Sequence, residues 1–125
     1  MKIDYNLQFN KNNKLQHFLN IENLSKEHIN EIIDLADKYI NNEGNKFKDL
    51  EGKTIASLFF EPSTRTKTTF ELASKRLSAD FINIDIANSS TLKGESILDM
   101  IKTLEAMECD MFIVRHSSSG TPHYI

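Results

Sequence analysis

The sequence lacks features that mark several classes of protein. It has one cysteine, Cys109, no tryptophan, two prolines and four glycines in 125 residues. A single cysteine cannot form an internal disulfide, and this favours a reducing, cytoplasmic setting. Cys109 lies beside a predicted strand, so we interpret it as a small buried residue and not as a catalytic thiol. No apolar run exceeds a few residues, and residues 1–6 do not begin a signal peptide, so no membrane association is predicted.

An excess of basic residues is also missing. Fifteen lysines and arginines stand against 18 acidic residues, which gives a net charge of −3 and a pI near 5.8. A general nucleic-acid binder would carry a basic surplus, so that class is disfavoured. The hydrophobic content of 39% and the charged content of 26% are typical of a soluble globular protein. The length fits one small domain with a real core.

The patterning of apolar residues predicts the order of the elements. Residues 1–20 are polar and without a clear period, so we interpret them as an N-terminal arm, followed by a domain over residues 21–125. Ser25 is the predicted N-cap of a first helix, which the stretch at 41–45 ends. Three strands are predicted at 54–60, 80–87 and 110–114, and they alternate with helices after Ser63 and after Gly94. This order indicates an α/β fold, a parallel sheet with helices on both faces.

Helical spacing also predicts which side chains face inward. In the first helix, which we interpret as structural, the apolar residues at helical spacing are Ile29, Ile32, Ile33, Ala36, Tyr39 and Ile40. In the second helix they are Phe70, Ala73 and Leu77, with Lys75 and Arg76 on the outside. In the third helix they are Ile97, Met100, Ile101, Leu104 and Met107.

The stretch at residues 59–71 organises the chain. Pro62 disfavours helix for Glu61, so the first strand ends there and Ser63 can cap the following helix. Unpaired N–H groups at a helix start, the positive end of its dipole and the guanidinium of Arg65 together make an anion site that suits phosphate. The alternative, an ordinary N-cap followed by a solvent-exposed basic turn, remains open on spacing alone.

Two further polar clusters follow strands of the predicted sheet. They are residues 89–93, with Ser89 and Lys93, and Arg115 after the third strand. Ligands of parallel sheets bind beyond the carboxyl ends of the strands, so the three clusters are expected on one rim. The histidines have no partners at metal-ligand spacing, and no metal site is predicted.

Three ordered motifs resemble those of the aspartate/ornithine carbamoyltransferase family. They are FFEPSTRTKTTFE at 59–71, SSTLKGES at 89–96 and Arg115-His116. The resemblance implies a carbamoyl-phosphate-binding domain, with the phosphate held by Ser63, Thr64, Arg65 and Thr66. It assigns catalysis to Arg65, Thr66 and Arg115, with Arg65 at the leaving oxygen and the other two at the carbamoyl carbonyl. Ser89 and Lys93 would reach the site of a neighbouring subunit, although the residues at 89–94 alone also fit a flexible polar loop with an exposed lysine. Glu95 would orient an arginine such as Arg65, and the alternative is that it only favours the start of the third helix electrostatically.

By the same resemblance the activity is transfer of a carbamoyl group to the amine of L-aspartate in pyrimidine biosynthesis, with no metal or organic cofactor. The partners implied are carbamoyl phosphate and a homotrimer of this chain, while a regulatory subunit is left open. The motifs at 60–62 and 93–95 look like the aspartate branch, and the ornithine branch is the alternative within the family. Lys67 stands where the family usually has arginine.

The resemblance covers only the first half of a family member. The family's H-P-x-Q segment is missing, and the aspartate-binding domain is absent. We therefore expect a carbamoyl-phosphate domain cut before its end, inactive as a short chain and able to use L-aspartate only with the second domain. The alternative from another class is a complete, non-catalytic module that binds a phosphate ligand or another subunit.

Overall fold

The computed structural model describes residues 5–42, 44–84, 86 and 96–125. The chain forms two compact units, one ending at Asn45 and one from Lys46 to Ile125. This division lies 25 residues beyond the end of the predicted arm, and the boundary after residue 20 stays a prediction. Within the described ranges, no helix is both long enough and apolar enough to cross a membrane.

In the first unit the predicted arm contains defined turns. A 3-10 turn spans Tyr5–Gln8, and Phe9 forms an isolated antiparallel bridge with Leu15. The side chain of Gln8 is fully buried, and its Oε1 accepts from the N–H groups of Leu19 and Asn20 at 2.8 and 3.0 Å. One buried amide therefore satisfies backbone groups 11 and 12 residues away, a link that no hydrophobic period reveals.

Helix α1 spans Lys26–Ile40, with Ser25 as its N-cap. The hydroxyl of Ser25 accepts from the N–H of His28 at 3.2 Å, and Nδ1 of His28 accepts from the N–H of Ser25 at 3.2 Å, a reciprocal capping box. The predicted helix and its cap are confirmed, but none of its residues is buried, and Ile40 is 66% exposed. Helical spacing thus predicted the helix and its apolar face, but it does not say what covers that face.

The second unit contains the sheet. Its three strands are β1, Thr54–Phe59; β2, Asp80–Asn83; and β3, Met111–Arg115. Both neighbours pair with β1 in parallel, in the order β2-β1-β3. β2 is shorter than the predicted strand over 80–87, because its pairing with β1 ends where Asn83 meets Ser57; residues 85 and 87 lie outside the described residues.

Helices flank this sheet and confirm the predicted α/β class. They are α2, Thr64–Arg76; α3, Ile97–Ala106; and the short α4, Thr121–Tyr124. The chain steps from β1 outward to β2 and then back across β1 to β3. Because parallel crossovers are right-handed, steps in opposite directions place α2 and α3 on opposite faces.

The core lies between β1 and α3. It consists of buried apolar residues from both elements and from the turn before β3: Ala56, Leu58, Met100, Ile101, Leu104 and Cys109. Cys109 is buried as expected, and this burial raises the pKa of its thiol. The prediction for Met107 is wrong: it is 68% exposed, because α3 ends at Ala106 and Met107 is the C-cap.

Helix α2 presents a different face from the predicted one. Ser74 is its buried residue, whereas Phe70 is 43% exposed and Ala73 is also exposed. The hydroxyl of Ser74 donates to the carbonyl of Phe70 at 2.7 Å. A serine whose hydroxyl is satisfied within the helix can be buried at low cost, so a small residue can face the sheet where the pattern predicts a large one.

Candidate anion-binding site

The first part of the site is the junction of β1 and α2. The strand ends at Phe59, and Ser63 is the N-cap of α2, as predicted. The side chain of Ser63 makes no hydrogen bond to the helix backbone. The backbone carbonyl of Ser63 accepts from the N–H of Lys67 at 3.0 Å. By helix geometry the N–H groups of the first turn lack intrahelical acceptors. These groups are therefore available to an external acceptor.

Arg115 brings a second strand end to this junction. It is the last residue of β3, it lies opposite Phe59, and its carbonyl accepts from the N–H of Phe60 at 2.9 Å. Nη1 of Arg115 donates to the hydroxyl of Ser63 at 3.1 Å. Two residues 52 positions apart in the chain thus meet at the rim of the sheet. The predicted convergence of these two clusters is observed.

Glu61 is a further contact of Arg115. Its Oε1 accepts from Nε of Arg115 at 2.7 Å, and the two side chains are 35% and 43% exposed. The sequence prediction gave Glu61 no role and assigned the orientation of an arginine to Glu95, which lies outside the described residues. The sequence does contain a signal for this role of Glu61. It is a carboxylate two residues before Ser63, at the end of the sheet where Arg115 is also expected.

The remaining predicted residues of the turn lie at the start of α2. Thr64 and Arg65 are exposed and Thr66 is half-buried. The carbonyl of Arg65 accepts from the hydroxyl of Thr69 at 2.8 Å. Ser89 and Lys93, the predicted contribution of the third cluster, lie outside the described residues. The site as described is therefore built from the α2 start and Arg115.

The charge of the site suits a dianion. The first turn of α2 carries two cationic side chains, Arg65 and Lys67, and Arg115 adds a third, which is paired with the carboxylate of Glu61. Further along α2, Glu71 pairs with Lys75 at 2.9 Å, and this bond is the main cause that lowers the pKa of Glu71. The charge of Lys75 is thus offset locally. In the part of the chain that the structure describes, no group of three or more His, Cys, Asp or Glu residues could hold a metal ion.

The chain thus has a parallel α/β sheet, with a candidate anion site at the carboxyl ends of β1 and β3. The model of the aspartate/ornithine carbamoyltransferase family, carbamoyl-P binding domain, matches residues 16–125. The chain therefore belongs to the aspartate/ornithine carbamoyltransferase family, as the carbamoyl-phosphate-binding domain.

Individual relatives agree with this assignment. The chain is 50% identical to the aspartate carbamoyltransferase catalytic subunit of Vesicomyosocius okutanii over 125 residues, 98% of this chain and 39% of that protein. The catalytic subunit of aspartate transcarbamoylase from M. jannaschii has a TM-score of 0.74 and 39% identity, over 85% of this chain and 35% of that chain. The Trypanosoma cruzi enzyme, solved with carbamoyl phosphate and aspartate, has a TM-score of 0.73 and 33% identity, over 79% of this chain and 31% of that one. The chain thus spans about two-fifths of its curated relative.

Proposed function

We propose that the turn formed by Ser63, Thr64, Arg65 and Thr66 binds the phosphate of carbamoyl phosphate, with Arg115 as the second cationic contact. The observation that carries this proposal is the hydrogen bond from Arg115 to Ser63, which places a guanidinium beside the start of α2. Helix N–H groups and an arginine fork are the donors that a phosphate dianion prefers. The exposure of Arg65 and Arg115 leaves both accessible to a ligand from solvent.

We propose further that this site serves carbamoyl transfer in the complete protein. The amine of L-aspartate attacks the carbamoyl carbon, the bond from that carbon to the phosphate oxygen breaks, and phosphate leaves with the electron pair while the amine loses a proton. Negative charge develops on the carbonyl oxygen and on the leaving oxygen, so fixed donors aimed at both lower the barrier. In this proposal Arg65 faces the leaving oxygen, Thr66 faces the carbonyl, and Arg115 contacts both the phosphate and the carbonyl.

The wider setting belongs to the same proposal. Family membership and the 50% identical aspartate enzyme support L-aspartate as the acceptor and pyrimidine biosynthesis as the pathway. We propose a homotrimer in the cytoplasm, in which Ser89 and Lys93 enter the site of a neighbouring subunit. The amino-acid substrate requires the second domain, so the 125-residue chain alone is expected to bind carbamoyl phosphate without turnover.

The test compares Arg65→Ala with Arg76→Ala, since Arg76 is an exposed arginine at the other end of α2. Hydrogen bonds to charged groups contribute about 1.5–3 kcal/mol, so Arg65→Ala should weaken carbamoyl-phosphate binding about 10- to 100-fold. Arg76→Ala should bind as the parent chain does. The two variants should melt within a few degrees of the parent, because both side chains are exposed.

Calorimetric titration gives the affinities, and thermal melts give the stabilities. Unchanged binding by Arg65→Ala, or a large loss of melting temperature with normal binding, contradicts the assignment of Arg65. Assays of carbamoyl-aspartate and citrulline formation, on a protein extended to the length of the relatives, separate the aspartate branch from the ornithine branch. Tight binding with no turnover of either substrate favours the non-catalytic module.

A further inference from the structure

His116 directly follows Arg115 and contacts the same neighbour. Its ring packs against the ring of Phe60, with centroids 4.8 Å apart and planes inclined by 58°. The N–H of Phe60 also donates to the carbonyl of Arg115 at 2.9 Å. Phe60 therefore fixes two consecutive residues at the end of β3, one through its backbone and one through its side chain. It is itself one residue before Glu61, a partner of Arg115.

The imidazole of His116 also forms a hydrogen bond within the turn that follows β3. Nδ1 of His116 accepts from the N–H of Ser118 at 2.9 Å. A backbone N–H can only donate, so Nδ1 carries no proton and the neutral ring has its hydrogen on Nε2. The carbonyl of Ser118 in turn accepts from the hydroxyl of Thr121 at 3.0 Å, and Thr121 is buried. The path of the chain beyond Arg115 is thus fixed by two successive hydrogen bonds.

The contacts of His116 restrain the backbone at the end of β3, which the side-chain contacts of Arg115 cannot do alone. The pair of Arg115 and Glu61 is partly exposed, and exposed ion pairs hold long side chains weakly. A guanidinium at the end of a strand keeps its direction only if the backbone beneath it is held. The contacts of His116 with Phe60 and Ser118 hold the backbone at that point.

We propose that His116 is a positioning residue for phosphate binding: its unprotonated Nδ1 and its contact with Phe60 hold the end of β3 so that Arg115 is directed at the start of α2. The inference rests on the proposed function in taking phosphate as the ligand of Arg115. His116 touches no reacting atom in this account, and it acts through Arg115.

The test uses His116→Ala, His116→Asn and the control His17→Ala, since His17 is exposed in the other unit. Inorganic phosphate is titrated into each chain, and the melting temperature is measured in parallel. His116→Ala should bind phosphate about tenfold more weakly, which corresponds to about 1.4 kcal/mol. His116→Asn should recover most of that loss, because an asparagine oxygen can accept from the N–H two residues on. His17→Ala should bind as the parent chain does.

Nitrogen NMR reports which ring nitrogen of His116 carries the proton, and a role in packing alone does not determine this. In the parent chain Nδ1 of His116 should be unprotonated and Nε2 protonated, and the Nε–H resonance of Arg115 should show its bond to Glu61. That resonance should be altered in His116→Ala and retained in His116→Asn.

A protonated Nδ1 at neutral pH, normal phosphate affinity in His116→Ala, or no recovery in His116→Asn overturns the proposal. If His116→Ala does not fold, the tautomer and the affinity of His116→Asn decide it. If the parent chain binds no phosphate, the proposed function fails, and the Arg115 resonance in the variants still decides whether His116 positions that side chain.

Discussion

Replacing Glu61 with glutamine changes the charge of the anion site while leaving its geometry nearly intact. Oε1 of Glu61 accepts from Nε of Arg115 at 2.7 Å. A glutamine oxygen at the same position can still accept that hydrogen bond, but the side chain carries no charge. A bound phosphate and the carboxylate of Glu61 would both accept from Arg115, and their negative charges would repel each other, so Glu61→Gln is predicted to bind phosphate more tightly than the parent chain.

Two magnitudes follow from the exposure and the charges. The side chains of the pair are 35% and 43% exposed, so loss of the charge–charge term should cost at most about 1 kcal/mol of folding free energy, a melting shift of a few degrees. Two unit charges about 4 Å apart in water interact by about 1 kcal/mol. Phosphate carries between one and two negative charges near neutrality, and the carboxylate of Glu61 repels them. Removing that carboxylate should therefore strengthen phosphate binding by about 1–2 kcal/mol, or about tenfold.

The assay is a calorimetric phosphate titration at low ionic strength, repeated at high salt, with Glu51→Gln as the matched control. Glu51 is exposed and precedes β1 at the opposite end of that strand. Six residues at about 3.3 Å each place it roughly 20 Å away, beyond the Debye length of about 10 Å at 0.1 M salt. The control should leave the affinity unchanged, and the gain in Glu61→Gln should shrink at high salt. Unchanged or weaker binding by Glu61→Gln, with a normal control, refutes the competition between Glu61 and phosphate.

Two predictions concern stability, and chemical denaturation measures both. Leu58→Ala removes a fully buried core side chain and should cost about 2–5 kcal/mol, whereas Leu72→Ala, at a position 52% exposed, should cost far less; equal losses would contradict the placement of the core. The Thr54 N–H first, and then Lys53, lower the pKa of Asp110 below its ordinary value of 3.8. A lowered pKa contributes stability above the unfolded value that is lost as the pH falls through the folded value. Asp110→Asn should thus be less stable than the parent at neutral pH, with a difference that shrinks below pH 3.8; a difference independent of pH would contradict this role.

Local patterns were sufficient to predict the parallel sheet and the junction that begins α2. The apolar run of β1, Pro62 and Ser63 set a strand end and a helix start within a few residues, and the helix starts at Thr64. The convergence of Arg115 with that junction followed from topology, because the carboxyl ends of parallel strands share a rim. No single segment of the sequence predicts that Arg115 meets this junction, but the alternation of strands and helices along the chain does.

The sequence did not predict which apolar faces would be covered. Helix α1 has the expected period and no buried residue, and α2 buries Ser74 where Phe70 and Ala73 were expected. Burial depends on what packs against a face, and that partner is not encoded in the face itself. The roles of Glu61 and Gln8 were missed for a related reason: each depends on a contact between segments that are distant in the chain.

Phosphate is expected to bind where α2 begins, next to Arg115, and a backbone-amide NMR titration with inorganic phosphate can locate it. The largest chemical-shift changes should occur at the N–H groups of Thr64, Arg65 and Thr66 and at the guanidinium of Arg115. Saturation without movement of these signals, or shifts concentrated around Lys53 and Asp110 at the opposite end of the sheet, would show that phosphate does not bind at the start of α2.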